Sequence, residues 1–94
     1  MTQPYETIAD IIAETCDIAR DEIQPESHLT DDLGVDSIDF LDAIFAIDRA
    51  FGIKIPFENW AAIVNGGKEP PERYFTVAGF SDRVAELIDA KAAA

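Results

Sequence analysis

Residues 36–51, DSIDFLDAIFAIDRAF, carry two separate apolar stripes at helical spacing and therefore predict the central helix of the fold. The first stripe is expected to be fully buried in the core and consists of Phe40, Ile44, Ile47 and Phe51. The second is rotated away from it around the helix and consists of Ile38, Leu41 and Phe45. Asp36 is placed to cap this helix and Gly52 to end it. A helix that packs on one core needs one apolar face, so the second stripe is a candidate contact surface.

Three further segments show helical spacing of apolar residues. Residues 3–17 predict an amphipathic first helix, with Thr2 as its candidate cap. Residues 57–64 predict a short helix that ends at the Asn-Gly-Gly sequence of residues 65–67. Thr76 is expected to cap a last helix, which Gly79 weakens by about 1 kcal/mol relative to alanine and which is expected to fray from Lys91.

Two connections stand between these helices. The first, residues 18–35, is long, and its apolar residues Ile18, Ile23 and Leu29 are expected to pin it to the core. The second, residues 68–74, is polar and has room for one helical turn. The chain from 1 to 94 is therefore predicted to form a single all-α domain: a bundle of three main helices plus a short helix before the last, with a long first loop.

The charge balance restricts the classes of partner. The chain has 19 acidic and 7 basic residues, and residues 10–48 contain twelve acids with Arg20 as their single base. Such a surface repels nucleic acid and anionic membranes and favours basic protein surfaces. Cys16 is the only cysteine, which indicates a reducing compartment and a buried structural thiol. Without a leader pattern or a bilayer-length apolar run, the chain is expected to be cytoplasmic and to have no transmembrane segment.

Ser37 is the main candidate for chemistry. It follows the capping Asp36 at a helix N-terminus, where free amide groups and the helix dipole stabilise a phosphate. Together with His28 and Asp36 it supplies the residue types of a hydrolase. A G-x-S-x-G motif, a strand leading into the serine and a glycine-rich oxyanion loop are all missing from the sequence, however, so catalysis is not predicted.

The aspartates of residues 31–42 do not match a calcium-binding loop. An EF-hand needs glycine at its sixth position and glutamate at its twelfth. Counted from Asp31 these positions hold Asp36 and Asp42, and counted from Asp32 they hold Ser37 and Ala43. No metal site is therefore predicted.

The second stripe within its acidic surroundings is interpreted as a recognition surface, since charge can steer a basic partner and apolar contacts can hold it. An alternative is that the stripe, Phe45 above all, packs under the first loop or against the short helix. The predicted recognition surface comprises Asp36, Ile38, Asp39, Leu41, Asp42, Phe45 and Asp48 on the central helix, and Glu58 on the short helix.

Residues 31–56, DDLGVDSIDFLDAIFAIDRAFGIKIP, resemble the acyl carrier proteins, whose signature is an acidic-glycine turn, then Asp-Ser-Leu, then an acidic helix. The resemblance implies that a phosphopantetheinyl transferase attaches 4′-phosphopantetheine from coenzyme A to Ser37. The thiol of that arm would hold acyl groups as thioesters for fatty-acid synthesis enzymes, and the carrier itself would be a monomer without catalytic activity. Ile38 stands in place of the usual leucine, a mild departure.

Residues 60–75 form a longer link than ordinary fatty-acid carriers have. With IADIIAET, ESHLTDDLG, FLDAIFAID and FGIKIPFENW, the chain resembles a specialised branch that carries very-long-chain hydroxy fatty acids for transfer to lipid A, which implies a lipid A acyltransferase as partner. A pocket for part of such a chain is predicted from Ile44, Ile47, Phe51, Trp60, Ile63 and Val84. A general fatty-acid or polyketide carrier and an unmodified acidic helical interaction module remain as alternatives.

Overall fold

The computed structural model describes residues 4–93, which form five α-helices. Their bounds are Pro4–Thr15 for α1, Ser37–Phe51 for α2, Phe57–Asn65 for α3, Glu72–Phe75 for α4 and Val77–Ala93 for α5. A 3-10 turn lies at Arg20–Glu22, and within the described residues the one strand-like pairing is an isolated bridge between His28 and Thr76. The predicted all-α class is confirmed. The candidate cap Thr2 and the predicted first helical residue, Gln3, lie outside the described residues.

The core lies between one face each of α1, α2 and α5, and α3 and the first loop close it. Its fully buried large side chains are Ile8, Ile44, Ile47, Val77, Phe80 and Val84. Burial of such a side chain contributes about 1.5–3 kcal/mol as an upper value. The expected full burial of the first stripe is wrong for Phe40 and Phe51, which are half-buried because they lie near the two ends of α2, beyond the centre of the core.

The predicted ends of α2 are confirmed. Asp36 Oδ1 accepts the backbone N–H of Asp39 at 2.8 Å, and Gly52 ends the helix in the left-handed conformation, with a φ of 65°. The first helix ends at Thr15, two residues earlier than expected. It stops there because Asp17 adopts a φ of 55°, and the N–H of Ile18 then donates to the carbonyl of Ala13.

The last helix continues through Lys91 to Ala93, and the expected fraying from Lys91 stays a prediction. The Lys91 Nζ amine donates a hydrogen bond to the Gly52 carbonyl, at the end of α2. A cation at a helix C-terminus is favourable because it lies at the negative end of the helix dipole. This long-range contact connects the end of α5 to the end of α2.

The first loop is pinned as predicted, because Ile23 and Leu29 are buried and Ile18 packs against the core. Three backbone hydrogen bonds also join the loop to the junction of α4 and α5. Leu29 N–H donates to the Phe75 carbonyl and Val77 N–H to the Ser27 carbonyl, both at 2.9 Å, and Ala78 N–H donates to the Pro25 carbonyl at 2.8 Å. The loop that precedes Ser37 and the α4–α5 junction are therefore held together.

Helix α4 is the helical turn that the second connection had room for, extended by one residue to Phe75. Thr76 caps α5 as predicted, since its Oγ1 accepts the N–H of Gly79 at 3.0 Å. Gly79 also permits close contact between the two helices. A Cβ atom at this position would lie 2.2 Å from the Glu72 carbonyl oxygen and 2.6 Å from that of Arg73, distances that no real side chain has.

The Gly79→Ala substitution is therefore expected to destabilise the fold by about 1–3 kcal/mol, because the added methyl group pushes α4 away from α5. Helix propensity alone predicts the opposite effect, a gain of about 1 kcal/mol. Urea unfolding measures the difference in free energy of unfolding. Ala85→Gly in the middle of α5 is the control for the propensity term and should cost about 1 kcal/mol. A Gly79→Ala variant more stable than wild type would contradict this expectation and show that α4 can move away from α5 without a loss in the free energy of unfolding.

No helix within residues 4–93 is both long and apolar enough to cross a membrane.

Candidate phosphopantetheine site

Ser37 is the first residue of α2, and it is exposed. The first turn of a helix has N–H groups without a partner inside the helix. Asp36 accepts the N–H of Asp39, which leaves the N–H groups of Ser37 and Ile38 for another acceptor. The site thus combines an accessible hydroxyl group with helix-terminal donors that suit a phosphate.

An open cavity of about 290 Å³, here called the outer cavity, adjoins this helix start. Its wall is mainly apolar and is formed by His28, Leu29, Thr30, Val35, Asp36, Ser37, Phe40 and Phe75. Residues from the first loop, α2 and α4 meet here because the loop is hydrogen-bonded to the α4–α5 junction. A chain attached to Ser37 therefore has an apolar surface beside its point of attachment.

Phe40 is an element of this site that sequence reasoning assigned to folding alone. Its ring makes edge-to-face contacts with Phe75 and Phe80, with centroid distances of 6.3 and 6.0 Å. Each such pair contributes about 0.5–1.5 kcal/mol beyond its buried area. The spacing of three residues from Ser37 places Phe40 on the same side of α2 and could have indicated its role. Phe75 carried no such signal, since it reaches the site from a distant helix.

A second, smaller space of about 10 Å³, here called the inner void, lies deeper in the core. It has room for about one water-sized probe. Its wall is formed by Ile12, Cys16, Leu29, Val35, Phe40, Ala43, Ile44, Ile47 and Phe80. Of the predicted acyl pocket, Ile44 and Ile47 line this void. Trp60 and Val84 are buried in the core, Phe51 and Ile63 pack against it, and the pocket itself stays a prediction.

His28 lines the outer cavity, but its hydrogen bonds indicate a local structural role. Its Nδ1 accepts the backbone N–H groups of Thr30 at 3.3 Å and Asp31 at 3.2 Å, so the neutral ring carries its proton on Nε2. The backbone N–H of His28 donates to Asp32 Oδ2 at 2.7 Å. Among residues 4–93, no hydrogen bond joins His28 to the Ser37 hydroxyl, so the geometry of a hydrolytic triad is not formed there.

The second stripe of α2 is largely exposed. Ile38 is 71% and Phe45 56% accessible, which excludes the alternative that Phe45 packs under the loop or against α3. Leu41 is half-buried. The acids around the stripe include exposed Asp36, Asp42 and Glu58 and half-buried Asp39. Their role in recognition stays a prediction.

Asp48 differs from the other acids of the predicted recognition surface. It is half-buried, and its Oδ1 accepts the N–H of Ile55 at 2.9 Å. A carboxylate that accepts a partly buried backbone N–H is stabilising, and its removal leaves that donor without a partner. Asp48 therefore holds the link between α2 and α3 in place.

Cys16 was predicted to be buried, but it is only half-buried. Its side chain lines the inner void. Burial, with the carboxylates of Asp39, Asp36 and Asp42, raises the pKa of the Cys16 thiol to about 11. The side chain is therefore a neutral thiol at neutral pH and a poor nucleophile. Among residues 4–93, no group of three or more His, Cys, Asp or Glu side chains is arranged to hold a metal ion.

Comparison with known proteins assigns the site to a family. Residues 6–60 match the family model described as the phosphopantetheine attachment site. The chain is 56% identical over 91 residues to the acyl carrier protein AcpXL of Brucella melitensis, which covers 97% of this chain and 98% of that one. It is 53% identical over 92 residues to AcpXL of Rhizobium meliloti, covering 98% and 97% of the two chains. The acyl carrier protein of Helicobacter pylori is 38% identical over 63 residues, 67% of this chain and 81% of that one.

The chain therefore belongs to the acyl carrier protein family. Its prosthetic group is 4′-phosphopantetheine, and proteins of this family carry acyl groups and present them to fatty-acid synthesis enzymes and transferases. The predicted family, including its specialised branch, agrees with the near-full-length matches to AcpXL proteins.

Proposed function

We propose that Ser37 bears the 4′-phosphopantetheine group and that the chain carries very-long-chain hydroxy fatty acids for transfer to lipid A. The observation that carries the first part is the position of Ser37. It is an exposed hydroxyl group at the N-terminus of α2, beside an apolar cavity and inside the matched family segment. The second part rests on the resemblance of the whole chain to the specialised branch and on its relation to AcpXL proteins.

The residues around Ser37 suit an attached phosphate. Its hydroxyl oxygen forms the phosphoester, and the N–H groups of Ser37 and Ile38 lie at the positive end of the α2 dipole. The Asp36 carboxylate is held by the Asp39 N–H at 2.8 Å, so a separate group satisfies its charge. The arm supplies the thiol that binds the acyl group, and the protein supplies its presentation.

The size of the outer cavity limits how much cargo it can shelter. Its volume is about 290 Å³, and it is open on one side. The 4′-phosphopantetheine arm and the first part of a very long acyl chain would occupy this space, so the remainder of the chain lies on the surface or passes directly to a partner enzyme. The long link of residues 60–75 contributes to the cavity through Phe75, which supports a role of this link in cargo selection.

The partners follow from the same surface. A phosphopantetheinyl transferase, fatty-acid synthesis enzymes and a lipid A acyltransferase would contact exposed Ile38 and Phe45, with Leu41 at the edge of the stripe. Asp36, Asp39, Asp42 and Glu58 would attract their basic side chains, consistent with a net charge of −12. In this proposal the protein is a monomeric, single-domain cytoplasmic carrier without catalytic activity of its own.

The cargo is tested on protein isolated from its own cell. We expect mass spectrometry of the acyl-phosphopantetheine groups released from this protein to show very-long-chain hydroxy acyl groups. The acyl carrier of general fatty-acid synthesis, isolated from the same cells, is the control and should hold shorter chains. If the protein carries only short chains in both growth and stationary phase, the lipid A role is refuted and a general fatty-acid or polyketide carrier is favoured.

A further inference from the structure

One aromatic side chain stands between the two spaces described above. Phe40 lines both the outer cavity and the inner void. Its ring contacts Phe75, which lines the outer cavity, and Phe80, which lines the inner void and is fully buried. Phe40 also lies three residues after Ser37 on α2 and thus on the side where an attached chain begins.

Leu29 and Val35 also line both spaces, but they are held more firmly than Phe40. They are only 2% and 5% accessible, and the N–H of Leu29 donates to the Phe75 carbonyl while that of Val35 donates to the Leu29 carbonyl. Phe40 is half-buried, and its ring faces an open cavity on one side. Of the three side chains, it is the one with room to move.

We propose that Phe40 determines how deeply an acyl chain attached to Ser37 enters the helix bundle. With the ring in its present position the inner void has about 10 Å³, too little for a run of methylene groups. Displacement of the ring joins this void to the outer cavity and brings Ile44 and Ile47 within reach of the chain. The inference rests on the proposed function, because it requires cargo attached at Ser37.

The test measures the NMR chemical shifts of the methyl groups of Ile44 and Ile47 before and after an acyl group is attached. The change in these shifts on acylation is the response of each residue. A phosphopantetheinyl transferase transfers dodecanoyl-phosphopantetheine from dodecanoyl-coenzyme A to wild type, Phe40→Ala and Phe40→Trp, and intact mass verifies each product. We expect the acylation-induced methyl shift changes to be about twofold larger in Phe40→Ala, because removal of the ring joins the two spaces. They should be about twofold smaller in Phe40→Trp, because the larger side chain blocks the passage.

Phe57→Ala is the matched control, since Phe57 is a half-buried aromatic residue that lines neither the outer cavity nor the inner void. It should leave the responses of Ile44 and Ile47 at wild-type size. Responses of Ile44 and Ile47 that are equal in wild type and Phe40→Trp would overturn the proposal. So would an effect of Phe57→Ala as large as that of Phe40→Ala.

Two further outcomes are separable by the same samples. If circular dichroism shows that Phe40→Ala is unfolded, Phe40→Leu takes its place, with the same direction expected, and an unchanged response again overturns the role of Phe40. If wild type gains no mass, the proposed attachment at Ser37 fails and the inference fails with it. If wild type is loaded but the responses of Ile44 and Ile47 in the Phe40 variants equal those in wild type, only the role of Phe40 is refuted.

Discussion

The Ser37→Ala variant is expected to gain no mass when it is incubated with coenzyme A and a phosphopantetheinyl transferase, whereas wild type gains the mass of one phosphopantetheine group. The loss of modification should be complete, because the alanine side chain has no oxygen atom to form the phosphoester. Intact mass spectrometry over a time course measures it directly. A mass increase that survives in Ser37→Ala would place the attachment at another residue.

The variant is expected to keep its fold, so the result reports on chemistry. Ser37 is exposed in the first turn of α2, and the capping bond from Asp39 N–H to Asp36 does not involve its side chain. Ser27→Ala is the matched control, since Ser27 is a loop serine outside the outer cavity; it should be modified fully. If wild type itself gains no mass with an active transferase, the alternative of an unmodified helical interaction module is favoured.

Reversal of charge beside Ser37 should have the second largest effect. We expect Asp39→Lys combined with Asp42→Lys to slow modification by the transferase by about tenfold or more, equivalent to at least ~1.4 kcal/mol. The reason is that basic groups on the transferase would meet like charges where they now meet carboxylates. Initial rates of mass gain at low and high salt measure the effect. The wild-type rate should fall as salt rises, and the difference between the two proteins should narrow.

Asp48 is left unchanged in this experiment because its carboxylate holds the N–H of Ile55, and its loss would confuse recognition with folding. The control variant combines Asp82→Lys with Asp89→Lys on α5, where both acids are exposed. It has the same change in net charge and should be modified at nearly the wild-type rate. Equal slowing in both variants would attribute the effect to overall charge, and wild-type rates in both would show that the acids near Ser37 are ordinary solvated surface.

The sequence alone was sufficient for the features that depend on near neighbours. Asp36 as the cap of α2, Gly52 as its end and Thr76 as the cap of α5 were all predicted correctly. Each of these depends on contacts within about one helical turn, and the residue types themselves encode such contacts. The helical period of α2 likewise placed Ile38 and Phe45 on a face apart from the first stripe, and the tertiary structure then decided that Phe45 is exposed.

Only the tertiary structure decided what lies around Ser37. The Phe75 carbonyl accepts the N–H of Leu29, a residue far away in the chain, and this contact brings the end of the long link to the outer cavity. Phe40 separates two spaces because Phe75 and Phe80 meet it from another part of the fold. The hydrogen bond from Lys91 to the Gly52 carbonyl likewise joins two residues that are far apart in the chain. Contacts between distant residues leave no periodic signal in a single sequence, so its pattern could indicate the carrier but could not show the cavity beside its serine.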